Sequence, residues 1–221
     1  MSDLRIIYED KHLIAVVKPY NILSQGNEKT HSMCDEISHY LSEKGEKSDV
    51  FVVHRLDKTT GGVMVYAKTK AMAGKLSALI TKGEFHKTYL CVISGEMSEE
   101  TSKLSDLLFH DKNKNKTFVV KRERKGVKKA ELSYETLGVK KRHGDVMSLL
   151  KVRLYTGRTH QIRVQFSSRK HPLIGDRKYG SSVKSENIAL WSYMIEFVHP
   201  VSGEKMSLKA KSDAEIFSTF E

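Results

Sequence analysis

Short apolar runs cut by turn formers recur along most of this chain, and they limit it to a fold built mainly from strands. Residues 4–8 and 13–17 flank the turn Glu9-Asp10-Lys11 and read as a hairpin. Lys18-Pro19 ends the second strand, because proline has no N–H for the ladder. Val63-Met64-Val65-Tyr66-Ala67 is short, apolar and bounded by glycine and lysine, which suits a buried strand. Further strands are expected at 87–93, 117–121, 130–139, 146–154, 188–198 and 205–209. Helical spacing is rarer. Met33, Ile37, Tyr40 and Leu41 share one face of a helix starting at Ser32 and stopping at Gly45. Met72, Leu76, Leu79 and Ile80 do the same over 70–82, between a Thr69 cap and Gly83. Residues 156–168 read as a turn into a short helix, and 213–220 as a terminal one. Many strands with few, interrupted helices predict an α+β fold, with a mixed, mostly antiparallel sheet flanked by helices and loops.

At 221 residues the chain suits one large domain or two small lobes. Apolar residues at 39%, charged residues at 29% and only three prolines exclude a disordered chain. The net charge of +11 favours a polyanionic partner, nucleic acid ahead of anionic membrane. Cys34 and Cys91 form no CxxC pair and read as buried thiols of a reducing compartment. The start, Met-Ser-Asp-Leu-Arg, has no apolar signal core, and no run approaches a membrane span. A cytoplasmic protein with no membrane partner, acting as a monomer, is expected.

His54-Arg55-Leu56-Asp57-Lys58-Thr59-Thr60-Gly61-Gly62 places one carboxylate between two cations, directly ahead of the apolar strand 63–67. An Asp on a loop held by a core strand is a common place for catalytic groups. A turn-forming Asp paired with Arg55 or Lys58 is the plainer reading, with the glycines setting the turn. A second polar cluster is Gly157-Arg158-Thr159-His160-Gln161-Ile162-Arg163, where Thr159 is a candidate cap for a helix starting near His160. Ile162 and Phe166 would anchor that helix by packing four residues apart. His171 to Gly180 is rich in turn formers, and Asp176 within it suits a structural role. Between Lys112 and Lys129, nine of eighteen residues are Lys or Arg, which reads as a solvated hairpin or as a flap that contacts phosphates. No HExxH, no zinc spacing and no nucleotide-binding glycine loop is evident, so neither a metal nor a cofactor is expected.

Residues 54–69 resemble the catalytic motif of RluA-like pseudouridine synthases, which isomerise uridine in RNA. Ile6-Ile7-Tyr8-Glu9-Asp10 with Val17-Lys18-Pro19 is similar to the family's opening strands, and Lys87-Thr88-Tyr89 to its tyrosine-bearing strand. Residues 157–163 resemble its arginine motif, 172–180 its downstream turn and His199-Pro200 a near-C-terminal signature. The chain departs from relatives at Thr59, Gly61 and Gln165, where Asp, Ser and His are frequent. The resemblance implies the pseudouridine synthase catalytic fold as a single domain over 1–221, without the S4-type RNA-binding domain that many relatives carry. It implies Asp57, Tyr89 and Arg163 as catalytic residues, with Arg163 paired to Asp57. It also implies Arg55, His54, Arg158 and His160 as substrate-binding residues, and ribosomal or transfer RNA as partner.

That chemistry suits the residue types. Pseudouridine formation breaks the C1′–N1 bond, turns the uracil and joins C1′ to C5 with no net redox change. One ionised carboxylate beside the sugar serves as nucleophile at C1′ or as base for a 2′ proton. An opposite charge within about 4–6 Å lowers a carboxylate pKa by roughly 1–3 units and keeps it ionised. A tyrosine can stack on the uracil with its hydroxyl near the proton leaving C5, and an arginine can fill the gap left by a flipped base. A non-catalytic RNA-binding or ribosome-assembly protein on the same fold is the competing reading. A glycoside hydrolase ranks last, since it would need two cooperating carboxylates about 5–10 Å apart.

Overall fold

The computed structural model describes residues 4–220 apart from 28, 47, 48 and 143. The opening Met1-Ser2-Asp3 therefore lies outside the described residues. The chain divides into two compact units, residues 1–87 with 192–212 and residues 88–191 with 213–221.

The first unit begins with β1 (Ile6–Glu9) and β2 (Leu13–Lys18), an antiparallel pair as the hairpin reading required. Asp10 closes their turn by accepting the N–H groups of His12 and Leu13 at 2.7 and 2.8 Å. α1 (Met33–Glu43) starts at Ser32, whose N–H donates to the Asp35 carboxylate in a capping box, and it buries Met33, Ile37 and Leu41. β3 (Phe51–Val52) pairs with the far end of β4 (Gly61–Ala67). β2 and β4 pair antiparallel from Leu13 against Ala67 to Lys18 against Gly62, and every residue of both strands is buried. Burial on both faces is why these runs are apolar without alternation. Each Leu, Ile or Val so buried contributes about 1.5–3 kcal/mol, so this pair anchors everything attached to its ends. α2 (Lys70–Lys82) follows, with Thr69 accepting the Met72 N–H at 3.1 Å and Gly83 ending it in the left-handed region.

The second unit consists mainly of strands. β5 (His86–Ser94) enters it from Thr88, and β6 (Thr101–Asp111), β7 (Lys116–Val120), β8 (Val127–Arg142) and β9 (Asp145–Leu154) pair in the order β9-β8-β6-β7. α3 (Gln161–Ser167) and a 3-10 turn (Arg177–Tyr179) follow. Leu108, Ala130, Val164 and Tyr179 form a buried cluster that joins the sheet to these two elements. β10 (Leu190–Val198) carries the chain back to the first unit from Ser192, where it pairs with β11 (Lys205–Lys209). The short α4 (Glu215–Ser218) lies in the second unit.

The α+β class holds, and the strand pairs described above, β1–β2, β2–β4, β3–β4, β6–β7, β6–β8, β8–β9 and β10–β11, are antiparallel. The extents differ in places. β6 and β3 were not expected from the sequence, β8 extends beyond 130–139, β10 starts two residues late and α4 is only four residues long. Cys91 is fully buried and Cys34 half-buried, both as free thiols, and burial raises the pKa of each. Among the described residues no helix is long and apolar enough to cross a membrane.

Candidate active site

Asp57 belongs to the first unit, at the start of a tight turn that leads into β4. The Thr60 N–H donates to the Asp57 carbonyl at 3.0 Å, so the backbone turn foreseen for this Asp does form. The glycines have a different role from the one expected. Gly61 and Gly62 are the first residues of β4, and Gly62 (φ +118°) lies so close to β10 that a Cβ there would sit 2.3 Å from the Ser192 carbonyl oxygen. Only glycine permits both that conformation and that approach. The Ser192 hydroxyl donates to the Val63 carbonyl at 3.0 Å, which secures the same approach.

The residues on either side of Asp57 are held by the segment after β2. The Ser24 hydroxyl accepts the Leu56 N–H at 3.0 Å and donates to the Leu56 carbonyl at 2.9 Å. Ser24 is itself fixed, its carbonyl accepting the Tyr66 hydroxyl of β4 at 2.9 Å. The Asn21 N–H donates to the Lys58 carbonyl at 2.8 Å, and the fully buried Lys18 ammonium donates to the carbonyls of Pro19, Ile22 and Lys58. Burial pulls the Lys18 pKa down to about 8, while the charge of Asp57 acts to raise it. Asp57 is thus half-buried on a loop whose two neighbouring peptides are both clamped, within the field of a buried cation. Neither Lys18 nor Ser24 was singled out for a role at this loop from the sequence; only contacts across the fold reveal the clamp.

His54 is buried, and its Nε2 accepts the Val65 N–H of β4 at 3.1 Å. Burial lowers its pKa to about 3, so the ring is neutral, and it packs on Phe85 at 5.4 Å between centroids. These contacts anchor the loop start to the core. Arg55 and Lys58, by contrast, are exposed.

Tyr89 and Arg163 belong to the second unit. Tyr89 is buried within β5, between buried Thr88 and half-buried Leu90. Arg163 is buried in α3 and forms a two-pronged pair with Asp176, Nε to Oδ2 at 2.6 Å and Nη2 to Oδ1 at 2.8 Å. Asp176 has no exposed surface, so this pair is dry and its geometry is stiff. The guanidinium carbon also lies 5.0 Å from the centroid of the Tyr179 ring.

The segment before α3 differs from expectation at its cap. Thr159 does not cap the helix; His160 does so in the left-handed region, at φ 54°. The Gln161 side chain organises the turn instead, accepting from the Thr156 hydroxyl at 2.7 Å and the Arg158 N–H at 3.0 Å, and donating to the Glu131 carbonyl at 3.0 Å. Arg158 is exposed and its Nε donates to the Lys129 carbonyl at 3.0 Å. His160 is buried, with Nδ1 hydrogen-bonded to the Tyr179 hydroxyl at 2.9 Å. Gln165, also fully buried, donates to Asp106 at 2.7 Å. Among the described residues no three His, Cys, Asp or Glu side chains gather so as to hold a metal ion.

The family model described as RNA pseudouridylate synthase matches residues 12–168. An RNA pseudouridine synthase of Bacillus subtilis is 30% identical over 218 residues, covering 97% of this chain and 70% of the relative. The ribosomal large subunit pseudouridine synthase D of Zymomonas mobilis is 30% identical, covering 94% of this chain and 69% of the relative. The tRNA pseudouridine synthase C of Vibrio parahaemolyticus is 26% identical, covering 99% and 96%. Among solved structures, human RNA pseudouridylate synthase domain containing 4 superposes with a TM-score of 0.78 at 22% identity, covering 98% of this chain and 90% of that one, which establishes the fold. The matched span contains Asp57, Tyr89 and Arg163, and the chain belongs to the RNA pseudouridylate synthase family, enzymes that isomerise uridine in RNA.

Proposed function

We propose that this protein converts one or a few specific uridines of ribosomal or transfer RNA to pseudouridine, with Asp57 as the reacting carboxylate. The observation that carries this reading is the clamp on the Asp57 loop. A turn that merely reverses the chain needs no buried ammonium and no buried hydroxyl holding the peptides on both sides of one carboxylate. In the reaction, the flipped-out uridine loses its C1′–N1 bond as Asp57 attacks C1′ or removes the 2′ proton. The freed uracil turns and C5 bonds to C1′, displacing Asp57 or with the 2′ proton returned; the C5 proton then passes to solvent and N1 takes up a proton. Tyr89 stacks on the uracil near C5. Arg163 keeps Asp57 ionised by its charge, and Arg55 fills the space the flipped base leaves. His54, which also fixes the loop that carries Arg55 and Asp57, binds the substrate RNA together with Arg158 and His160. Residues 1–221 act as one catalytic domain, a reading supported by the family match, which runs through both compact units.

The partner is RNA whose shape as well as sequence is read. Relatives named for the ribosomal large subunit and for tRNA support both substrate classes. The protein works in the cytoplasm as a monomer, without a membrane. Transcriptome-wide pseudouridine mapping in cells with and without the gene tests this proposal. Loss of one or a few sites in ribosomal or transfer RNA is expected, and an unchanged map contradicts it.

A further inference from the structure

Thr117 lies in the most lysine-rich part of the chain, near the start of β7, yet it is almost completely buried. Its N–H donates to the Tyr179 hydroxyl at 2.8 Å. Its own hydroxyl donates to the Thr159 carbonyl at 2.8 Å and is hydrogen-bonded to His110 Nδ1 at 3.0 Å. A second tie joins the same segments, from the Lys178 ammonium to the Asn115 carbonyl at 3.1 Å. The basic hairpin β6–β7 is therefore bolted to the arginine motif and to the turn after it.

Tyr179 is where these segments meet. Its ring centroid lies 5.3 Å from the Lys116 ammonium of the hairpin and 5.0 Å from the Arg163 guanidinium carbon. Its hydroxyl serves Thr117 and His160 together. The Arg163 guanidinium is held at its edge by Asp176, and the Tyr179 ring lies against it as a further support. Lifting the hairpin would break the Thr117 bonds, leave the Tyr179 hydroxyl with His160 but without Thr117, and so loosen the ring that lies against Arg163.

We infer that Thr117 and Tyr179 form a joint through which docking of the basic hairpin sets the orientation of Arg163, so that RNA phosphates held by the hairpin and the reacting centre are engaged together. This rests on the proposed function, in which the hairpin meets RNA and Arg163 serves the reaction. Thr117 and Tyr179 are positioning residues and touch no substrate. A static brace with the same bonds would stabilise the fold and leave the reaction rate untouched, and that difference is measurable.

The probe is total RNA labelled with 5-tritiated uridine, taken from cells lacking the gene, because bonding C5 to C1′ releases the C5 hydrogen to water. Single-turnover tritium release is followed with protein in excess for the natural protein, Thr117→Ser, Thr117→Val, Tyr179→Phe and the Thr117→Val/Tyr179→Phe double variant. Thr117→Val and Tyr179→Phe are expected to lower the saturating rate about tenfold or more, with half-saturating protein concentration moving less than about threefold. Thr117→Ser retains the rate, and the double variant is no slower than its slower parent, as two parts of one joint require. Natural rates at saturation in Thr117→Val, or a loss confined to half-saturation, overturn the inference. The Thr117 pair decides the matter if Tyr179→Phe does not fold. No tritium release by the natural protein contradicts the functional reading itself, and the inference with it.

Discussion

The buried ammonium of Lys18 donates to the carbonyl of Lys58 at 3.3 Å, immediately after Asp57 in the chain. A residue that ends a core strand thus reaches across forty positions to hold the loop where the chemistry is proposed. Ser24 does the same for the residue before Asp57.

Ser24→Ala removes a donor and an acceptor at once, leaving both the N–H and the carbonyl of buried Leu56 without this partner. A buried polar group left unsatisfied costs about 1–3 kcal/mol. Urea unfolding is expected to show a loss of that size, with slower tritium release at saturating RNA. A variant as stable as the natural protein contradicts the clamp.

His54 makes stability depend on acidity. Its folded pKa, about 3, lies below its ordinary value of 6.5, so below that value the unfolded chain binds a proton that the folded ring refuses. The stability is complete above pH 6.5 and is lost as pH falls toward 3, at about 1.4 kcal/mol per unit. Between pH 7 and pH 5 the natural protein should lose about 2 kcal/mol relative to His54→Gln, read from urea midpoints. Parallel pH profiles would contradict a buried neutral His54.

Asp176→Asn leaves the Arg163 guanidinium without its buried carboxylate. Removing one member of a buried pair typically costs about 3–5 kcal/mol. Thermal or urea unfolding is expected to show that loss, and tritium release should fall with it. A change below about 1 kcal/mol would mean that Asp176 does not hold Arg163 in solution.

Lys121, Arg122, Arg124 and Lys125 are exposed on the connection between β7 and β8. Replacing them with glutamine should weaken RNA binding and reduce the slope of log K against log salt by about 0.7 for each phosphate of single-stranded RNA that is no longer neutralised. Filter binding from low to high salt measures this. An unchanged slope means that RNA does not meet this segment.

Much of this architecture is written locally. The run 63–67 and the α2 stripe with its Thr69 cap and Gly83 stop read correctly because each needs only its own residues. β6 escaped because Leu104 and Leu108, its buried residues, are four apart, a spacing that fits a helix face and a strand face equally. Its other signals are remote: Asp106 within it accepts from Gln165 at 2.7 Å and pairs with Arg169. The same contrast holds at the site. Asp57, Tyr89 and Arg163 stand in motifs whose resemblance to a known family suggests them, where each residue read alone has a plainer role. Nothing in the spacing of Lys18, Ser24, Thr117, Asp176 or Tyr179 reveals what they grip, since each partner lies on another element. The fate of Gly62 was hidden likewise, because the strand it must approach comes 130 positions later.

The glycosidic role proposed for Asp57 is open to a single-turnover assay on Asp57→Asn. The variant keeps the volume of the side chain and removes the charge, so folding and RNA affinity should stay close to natural. With 5-tritiated RNA from cells lacking the gene, tritium release is expected to fall about 10³-fold or more, a size typical of losing an essential acid–base or nucleophilic group. Release by Asp57→Asn at the natural rate, from RNA bound with natural affinity, would rule out that role for Asp57.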